Sequence, residues 1–213
     1  FERSYCTSPV CGPARASLVT GRMPHEVGVN VLGDAPDPSV ATMGEIFRDA
    51  GYETGWTGKW HLPKSYPRGA HDIPGFLNLP MKSVENYALG EYTDDPIADE
   101  AVKFLERKHD RPFLLAVALH NPHDICQWIW KEPLSHDDLD RFPPLPSNFE
   151  SDPAEPQFIS DCRRRTYYGN EANGTVHWDN DQWRAYLNAY YRLVEQVDVV
   201  VGRILTTLRE QGL

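Results

Sequence analysis

The spacing of apolar residues along the chain predicts both helices and strands. Between positions 182 and 209, apolar side chains recur every three or four residues, which is the period of one face of a long helix. Gly212 is suited to cap the end of that helix. Residues 113–119 form an unbroken apolar run after Pro112. Such a run is typical of a strand buried on both faces.

Shorter patterns and punctuating residues predict the remaining elements. Helices are expected at 13–20, 41–49 and 94–108, a strand at 52–57, and a loop broken by proline and glycine at 62–90. Helices that alternate with buried strands indicate an α/β fold, in which helices sandwich a mostly parallel sheet.

Residues 124–180 do not follow this alternation. They are rich in proline, aspartate and aromatic residues and show no sustained period. A stretch of this length is predicted to be an ordered insertion or lid within a domain that covers residues 1–213.

Composition and charge narrow the classes of function. The 213 residues are 40% hydrophobic and 24% charged, which argues against a disordered chain. No run approaches the roughly 18–20 apolar residues of a membrane span. The net charge of −10 repels phosphate backbones, so nucleic acid is not an expected partner. Four cysteines permit disulfides without requiring them, and they show no zinc-ribbon spacing.

The first candidate motif is the pentad CGPAR, from Cys11 to Arg15. If residues 13–20 are helical, Cys11 lies at the N-terminal entrance, where free N–H groups and the helix dipole favour an anion. Arg15, one turn further on, can hold the same anion with its forked guanidinium. The alternative is a small buried cysteine before a helix, with Arg15 on a solvated face.

The second and third motifs follow the two predicted strands. In extended chain Lys59 and His61 would point together and Trp60 away, so that an ammonium and an imidazole could hold an anion and supply a proton. His120 and His123, in the stretch HNPHD, come directly after the apolar run, where α/β sheets bind ligands. A solvated strand end, a metal site, or histidines bonded to backbone carbonyls are the alternatives. The other histidines lack such a context and are predicted at the surface: His25, His71, His109, His136 and His177.

Together these blocks resemble the sulfatase family. CGPARASLVTGRMPHEVGV is similar to the first block of the family, GYETGWTGKWH to the second, and the strand followed by HNPHD to the histidine block. The long helix ending in GRILTTLREQGL resembles the one that precedes the C-terminal metal-binding strand. The resemblance implies an alkaline-phosphatase-like α/β fold and an internal fragment that lacks metal-ligand segments at both ends. The pairs Asp94-Asp95 and Asp137-Asp138 do not match those segments.

The resemblance also implies a mechanism. Five residues would be catalytic: Cys11, Arg15, Lys59, His61 and His123. Cys11 would be converted to formylglycine, whose hydrated form attacks sulfur, and would also be a ligand of Ca²⁺. Arg15 and Lys59 would stabilise negative charge, and His61 would hold or deprotonate the diol. His123 and Lys59, with His120, would bind the sulfate, and His123 would also serve the leaving group.

The function that follows is hydrolysis of a sulfate ester or sulfamate, with a carbohydrate sulfate as the expected substrate. A formylglycine-generating enzyme would be a partner during maturation, and family analogy points to the periplasm, secretion or the lysosome. The fragment alone is expected to be inactive and to hold calcium weakly or not at all. Two alternatives are a phosphate or phosphonate ester hydrolase of the same superfamily and a non-catalytic protein that binds sulfated glycans. A zinc hydrolase built on His61, His120 and His123 is a third.

Overall fold

A computed structural model gives the structure of the protein. It describes residues 3–62, 73–79, 94–126, 139–164, 175 and 178–213. Predictions that concern His71, His136, His177 and the pair Asp137-Asp138 therefore lie outside the described residues.

Helices and strands alternate along the described chain. In order, the elements are α1 (Cys11–Thr20), a 3₁₀ turn (Pro24–Val27), α2 (Met43–Asp49), β1 (Glu53–Gly58), β2 (Leu77–Asn78), α3 (Asp95–Leu105), β3 (Phe113–Ala118), a second 3₁₀ turn (Leu139–Arg141), α4 (Gln157–Arg164) and α5 (Asn180–Glu210).

The described strands form a parallel sheet in the order β2-β1-β3. The register pairs Glu53 with Phe113 at one end of β1 and β3, and Gly58 with Ala118 at the other. Parallel neighbours need a crossover connection, and α3 supplies the one before β3. The predicted α/β architecture with helices around a parallel sheet is confirmed.

Two apolar clusters hold this sheet. Trp56 of β1 is 1% exposed, and its ring makes edge contacts with Trp60 and Phe76. On the other side Phe104 of α3, also 1% exposed, makes an edge contact with Phe113 of β3. Ile204 and Leu208 of α5 pack against this second cluster. Aromatic side chains of this size contribute most of the burial available to a small sheet.

Four predicted elements differ from the structure. Helix α1 starts at Cys11, two residues earlier than expected, because Pro13 is tolerated anywhere in a first turn. The predicted loop at 62–90 contains β2, and the aperiodic stretch 124–180 contains α4. Every residue of β3 is only partly buried, so the prediction of a strand buried on both faces is wrong. β3 lies at the edge of the described sheet, with β1 on one side.

The long helix is confirmed, including Gly212 in the left-handed conformation just beyond its end. Its apolar positions do not all face a core, however. Ile204 and Leu208 pack into the second cluster, whereas Val201 and Leu205 are 37% and 51% exposed. The apolar stripe of this helix is wider than the surface that the described elements cover.

One histidine predicted at the surface is buried. His25 is exposed as expected, but the side chain of His109 is only 5% exposed. Its Nδ1 lies 2.8 Å from Oε2 of Glu53, and its Nε2 lies 2.9 Å from the carbonyl oxygen of Phe104. These two contacts, formed with residues distant in sequence or in the preceding turn, are the physical reason for the burial.

The loop after the first 3₁₀ turn is held by an aspartate. Oδ2 of Asp34 accepts hydrogen bonds from the main-chain N–H groups of Val31 and Asn30, at 3.0 and 2.9 Å. These bonds, that of Val31 first, lower the pKa of the Asp34 carboxyl.

The described residues fall into two compact units. The first contains residues 3–62, 73–79, 94–120 and 199–213, and the second contains residues 121–126, 139–164, 175 and 178–198. In the second unit, the rings of Trp178, Trp183 and Tyr186 make mutual edge contacts. None of the described helices combines the length and the hydropathy that crossing a membrane requires.

Candidate active site

Helix α1 places Cys11 and Arg15 one turn apart. Cys11 is the first helical residue and is partly accessible to solvent. Val10, at the N-cap, makes no side-chain cap, and the first turn contains no acidic residue. The N–H groups of the first turn and the helix dipole therefore favour negative charge beside Cys11.

The thiol of Cys11 meets the imidazole of His61. Sγ lies 3.1 Å from Nδ1, although the two residues are 50 positions apart in sequence. Either the thiol donates to a neutral Nδ1, or a protonated Nδ1 donates to a thiolate. In both forms a proton acceptor or donor lies directly against the side chain of residue 11, which is what activation of a nucleophile requires.

The main-chain conformation that places Lys59 and His61 at this site was not predicted from the sequence. The expectation of extended chain through Lys59 and His61 is wrong, because β1 ends at Gly58, whose φ is +93°. The chain then turns: the Lys59 N–H donates to the carbonyl oxygen of Ala118 at 2.8 Å, and His61 adopts a φ of +59°. A non-glycine residue in that region is uncommon and is often found at functional sites.

Arg15 joins α1 to this turn. Its Nη1 donates to the carbonyl oxygen of Lys59 at 2.6 Å, and Lys59 itself is only 9% exposed. Burial lowers the pKa of the Arg15 guanidinium, while the Cys11 sulfur opposes that shift. Arginine keeps its charge even so, because its ordinary pKa lies far above neutrality. Since a guanidinium carries five N–H donors, one bond to a carbonyl leaves donors for an anion.

The end of β3 carries His120 to the same edge of the sheet, next to the turn that contains Lys59. The main-chain N–H of His120 donates to Oδ1 of Asp94 at 2.6 Å. Asp94 is 4% exposed. Its neighbour Asp95 is instead half exposed, 3.7 Å from Arg203. The sequence predicted a helix that starts at Asp94 and a candidate site residue at His120, but no pattern indicated that the two residues meet.

His123 belongs to the second unit. Its side chain is half exposed, with Nδ1 3.7 Å from Oδ1 of Asp124. Sγ of Cys126 lies 4.0 Å from the same nitrogen. The structure thus brings Cys11, Arg15, the main chain of Lys59 and His61 together, while the role of His123 stays a prediction.

A metal site is not formed by the described residues on their own. Within the described ranges, no group of three or more histidine, cysteine, aspartate or glutamate side chains could hold an ion. Cys11 contacts His61, whereas calcium takes six to eight oxygen ligands. The described residues therefore do not fit a calcium site by themselves.

Comparison with known proteins identifies the family of the chain. The sequence profile of the sulfatase family matches residues 1–213. The chain belongs to the sulfatase family. A Δ4,5-hexuronate-2-O-sulfatase of Bacteroides thetaiotaomicron is 28% identical over 98% of the chain and 44% of its own length. An ulvan-active sulfatase of Formosa agariphila is 32% identical over 71% of the chain and 34% of its own length.

Solved structures of sulfatases share the fold. A 2-O glycosaminoglycan sulfatase superposes with a TM-score of 0.77 at 25% identity, over 98% of the chain and 46% of that structure. A phosphonate monoester hydrolase of Agrobacterium radiobacter has the same fold, with a TM-score of 0.68 at 16% identity. The match covers 97% of this chain and 51% of the length of the hydrolase. The expected alkaline-phosphatase-like sulfatase fold is confirmed. The chain spans less than half the length of the curated sulfatases it matches.

Proposed function

We propose that the protein to which this chain belongs hydrolyses sulfate esters, with residue 11 as the nucleophile. The observation that supports this most directly is the contact of 3.1 Å between Sγ of Cys11 and Nδ1 of His61, at a helix N-terminus that also carries Arg15. A nucleophile, a proton-transfer group and a fixed positive charge are the parts that attack on an anionic ester requires.

The nucleophile of the proposal is a formylglycine made from Cys11. In that maturation the Cβ carbon gives two electrons to an oxidant, takes an oxygen from water and releases its sulfur as hydrogen sulfide, and a formylglycine-generating enzyme would carry it out. The hydrated aldehyde supplies one oxygen that attacks sulfur and a second hydroxyl whose deprotonation later expels the sulfate. Cys11 fits this role because its side chain is partly accessible and lies beside an imidazole.

The other residues act on charge and protons. His61, at 3.1 Å from the side chain of residue 11, is placed to take a proton from a hydroxyl there. Arg15 supplies a permanent charge whose position is set by its bond to the Lys59 carbonyl. Lys59, His120 and His123 are proposed to bind sulfate oxygens, and His123 to protonate the departing alcohol. Calcium would need ligands besides Cys11.

A carbohydrate sulfate is the proposed substrate class. Relatives named for a sulfated hexuronate, for ulvan and for N-acetylglucosamine 6-O-sulfate support it. A choline-sulfatase of Rhizobium meliloti also matches 98% of the chain, at 25% identity. Assays should therefore compare sulfated mono- and disaccharides with choline sulfate and with an aryl phosphate. Turnover of the phosphate with no turnover of any sulfate would favour the ester hydrolase of the alternative class.

The nucleophile is tested by its chemistry. Mass spectrometry after labelling with a hydrazide probe should find an aldehyde at position 11 in the wild type and in Cys6→Ala, and none in Cys11→Ala. Cys6 is a matched control because it is exposed and its thiol donates to the carbonyl oxygen of Ser8, at 2.8 Å. His61→Gln should lower kcat by about 100-fold to 10,000-fold, whereas His25→Gln should not. An unmodified thiol at position 11 in a host with the maturation machinery, together with tight binding of sulfated glycans, would instead indicate a binding protein.

A further inference from the structure

A line of hydrogen bonds, each with a main-chain group as donor or acceptor, crosses the carboxyl edge of the sheet and ends on a buried carboxylate. Arg15 donates to the carbonyl oxygen of Lys59 at 2.6 Å. The Lys59 N–H donates to the carbonyl oxygen of Ala118 at 2.8 Å. Two residues beyond Ala118, the His120 N–H donates to Oδ1 of Asp94 at 2.6 Å. Four elements of the first unit, α1, β1, β3 and α3, are thus tied together where their ends meet.

The side chain of Asp94 is used in an unusual way. Aspartate at the start of a helix ordinarily accepts hydrogen bonds from the first-turn N–H groups of its own helix. Asp94 occupies that position before α3 but makes no side-chain cap. Its carboxylate reaches the end of β3 instead and is 4% exposed. Burying a carboxylate is costly unless hydrogen bonds compensate it, so its position is tightly coupled to that of the chain at His120.

We propose that Asp94 is a positioning residue of the hydrolytic site, holding the chain that leaves β3 and, through Ala118, the turn that presents Lys59. The proposal rests on the proposed function, because it concerns the same site. Its carboxylate accepts from the main-chain N–H of His120, so the proposed role is to position the site through the main chain. A catalytic group displaced by about 1 Å can lose roughly 100-fold in rate, which is the scale on which such a tie matters.

Three variants of the full-length protein to which this chain belongs test this role. Asp94→Ala removes the acceptor, Asp94→Asn keeps a neutral oxygen in the same place, and Asp95→Asn makes the same charge change on the exposed neighbour. With kcat expressed per mole of hydrazide-reactive aldehyde, we expect Asp94→Ala to lose about 10-fold to 100-fold, with a smaller change in KM. Asp94→Asn should recover most of that loss, and Asp95→Asn should match the wild type. A purely structural role would lower the yield of folded enzyme but not kcat per aldehyde.

A second measurement tests the role of Asp94 independently of the proposed hydrolysis. The amide proton of His120 is followed in protein labelled with ¹⁵N-histidine, its signal assigned by its loss in His120→Gln. A short bond to a carboxylate predicts a downfield amide that exchanges slowly, and Asp94→Asn should shift it upfield and speed exchange several-fold. Wild-type kcat in Asp94→Ala, equal loss in the Asn and Ala variants, or an unchanged His120 amide in Asp94→Asn would each overturn the role of Asp94. Absence of sulfatase activity in the wild type would overturn the proposed function alone, because the amide signal does not depend on turnover. If Asp94→Ala does not fold, the amide of Asp94→Asn decides.

Discussion

Gly58 ends β1 at the point where the candidate site begins, and replacing it by alanine should damage both stability and activity. The φ of Gly58 is +93°, and a Cβ added there would lie 2.1 Å from the carbonyl oxygen of Ala118 and 2.8 Å from its carbonyl carbon. Since the clashing atoms belong to the main chain, no side-chain rotation can relieve the contact. The neighbouring strand must move instead.

Two effects contribute to the expected loss in the free energy of unfolding of Gly58→Ala. A non-glycine residue at such a φ costs about 1–3 kcal/mol. Separating the strands weakens the bond between the Lys59 N–H and Ala118, which is worth about 1 kcal/mol. Gly58→Ala should therefore lower the free energy of unfolding by about 2–4 kcal/mol, a large part of the 5–15 kcal/mol typical of a domain. Lys59 and His61 lie just beyond Gly58, so a shift of the chain there would displace them. We therefore expect kcat to fall by about 100-fold in the remaining folded protein.

Gly202 provides the matched control. It lies within α5, and a Cβ there would meet no atom of the described residues within 4 Å. Gly202→Ala should raise stability by about 0.5–1 kcal/mol, because glycine is a poor helix former. Urea unfolding of both variants, followed by tryptophan fluorescence, measures the difference. A Gly58→Ala midpoint equal to that of the wild type would refute the reasoning from φ and the close approach.

Three other predictions follow from the structure. Arg15→Lys should lower kcat/KM by about 100-fold, because a lysine cannot both hold the turn after β1 and face an anion. The control Arg22→Lys, at an exposed position, should leave kcat/KM unchanged. Equal losses in the two variants would contradict the role of Arg15. The pKa of the Asp34 carboxyl is lowered, so its ionised form adds stability above its ordinary value of 3.8 and loses it as the pH falls through the lowered value. Asp34→Asn should therefore flatten the acid side of a plot of urea midpoint against pH, and an unchanged slope would count against this linkage. Phe104→Ala, which opens the second apolar cluster, should cost about 3–5 kcal/mol by urea unfolding, whereas Phe158→Ala, at a side chain 65% exposed, should cost little.

Local patterns were sufficient for the elements that depend on local physics. The period of three and four residues predicted α5 to within two residues of each end, since an amphipathic helix is encoded by consecutive side chains. The strand at Glu53–Gly58 was predicted almost as closely. The sequence could not tell which apolar positions would be covered, so β3 was expected to be more buried than it is. Burial depends on which elements pack on a strand, and neighbours in space are not neighbours in sequence.

The candidate site also has features that the sequence determined and features that depend on the tertiary structure. The chain by itself determined the chemistry available: a cysteine at a helix start, an arginine one turn on, and the lysine and histidines of blocks that resemble one family. Only the tertiary structure decided how these groups meet. The carbonyl of Ala118, on another strand, approaches Gly58 so closely that a Cβ there would clash, and the carboxylate of Asp94 binds at the end of β3 rather than in its own helix. Main-chain hydrogen bonds between elements leave no periodic trace in a sequence, because any residue can supply the N–H or the carbonyl.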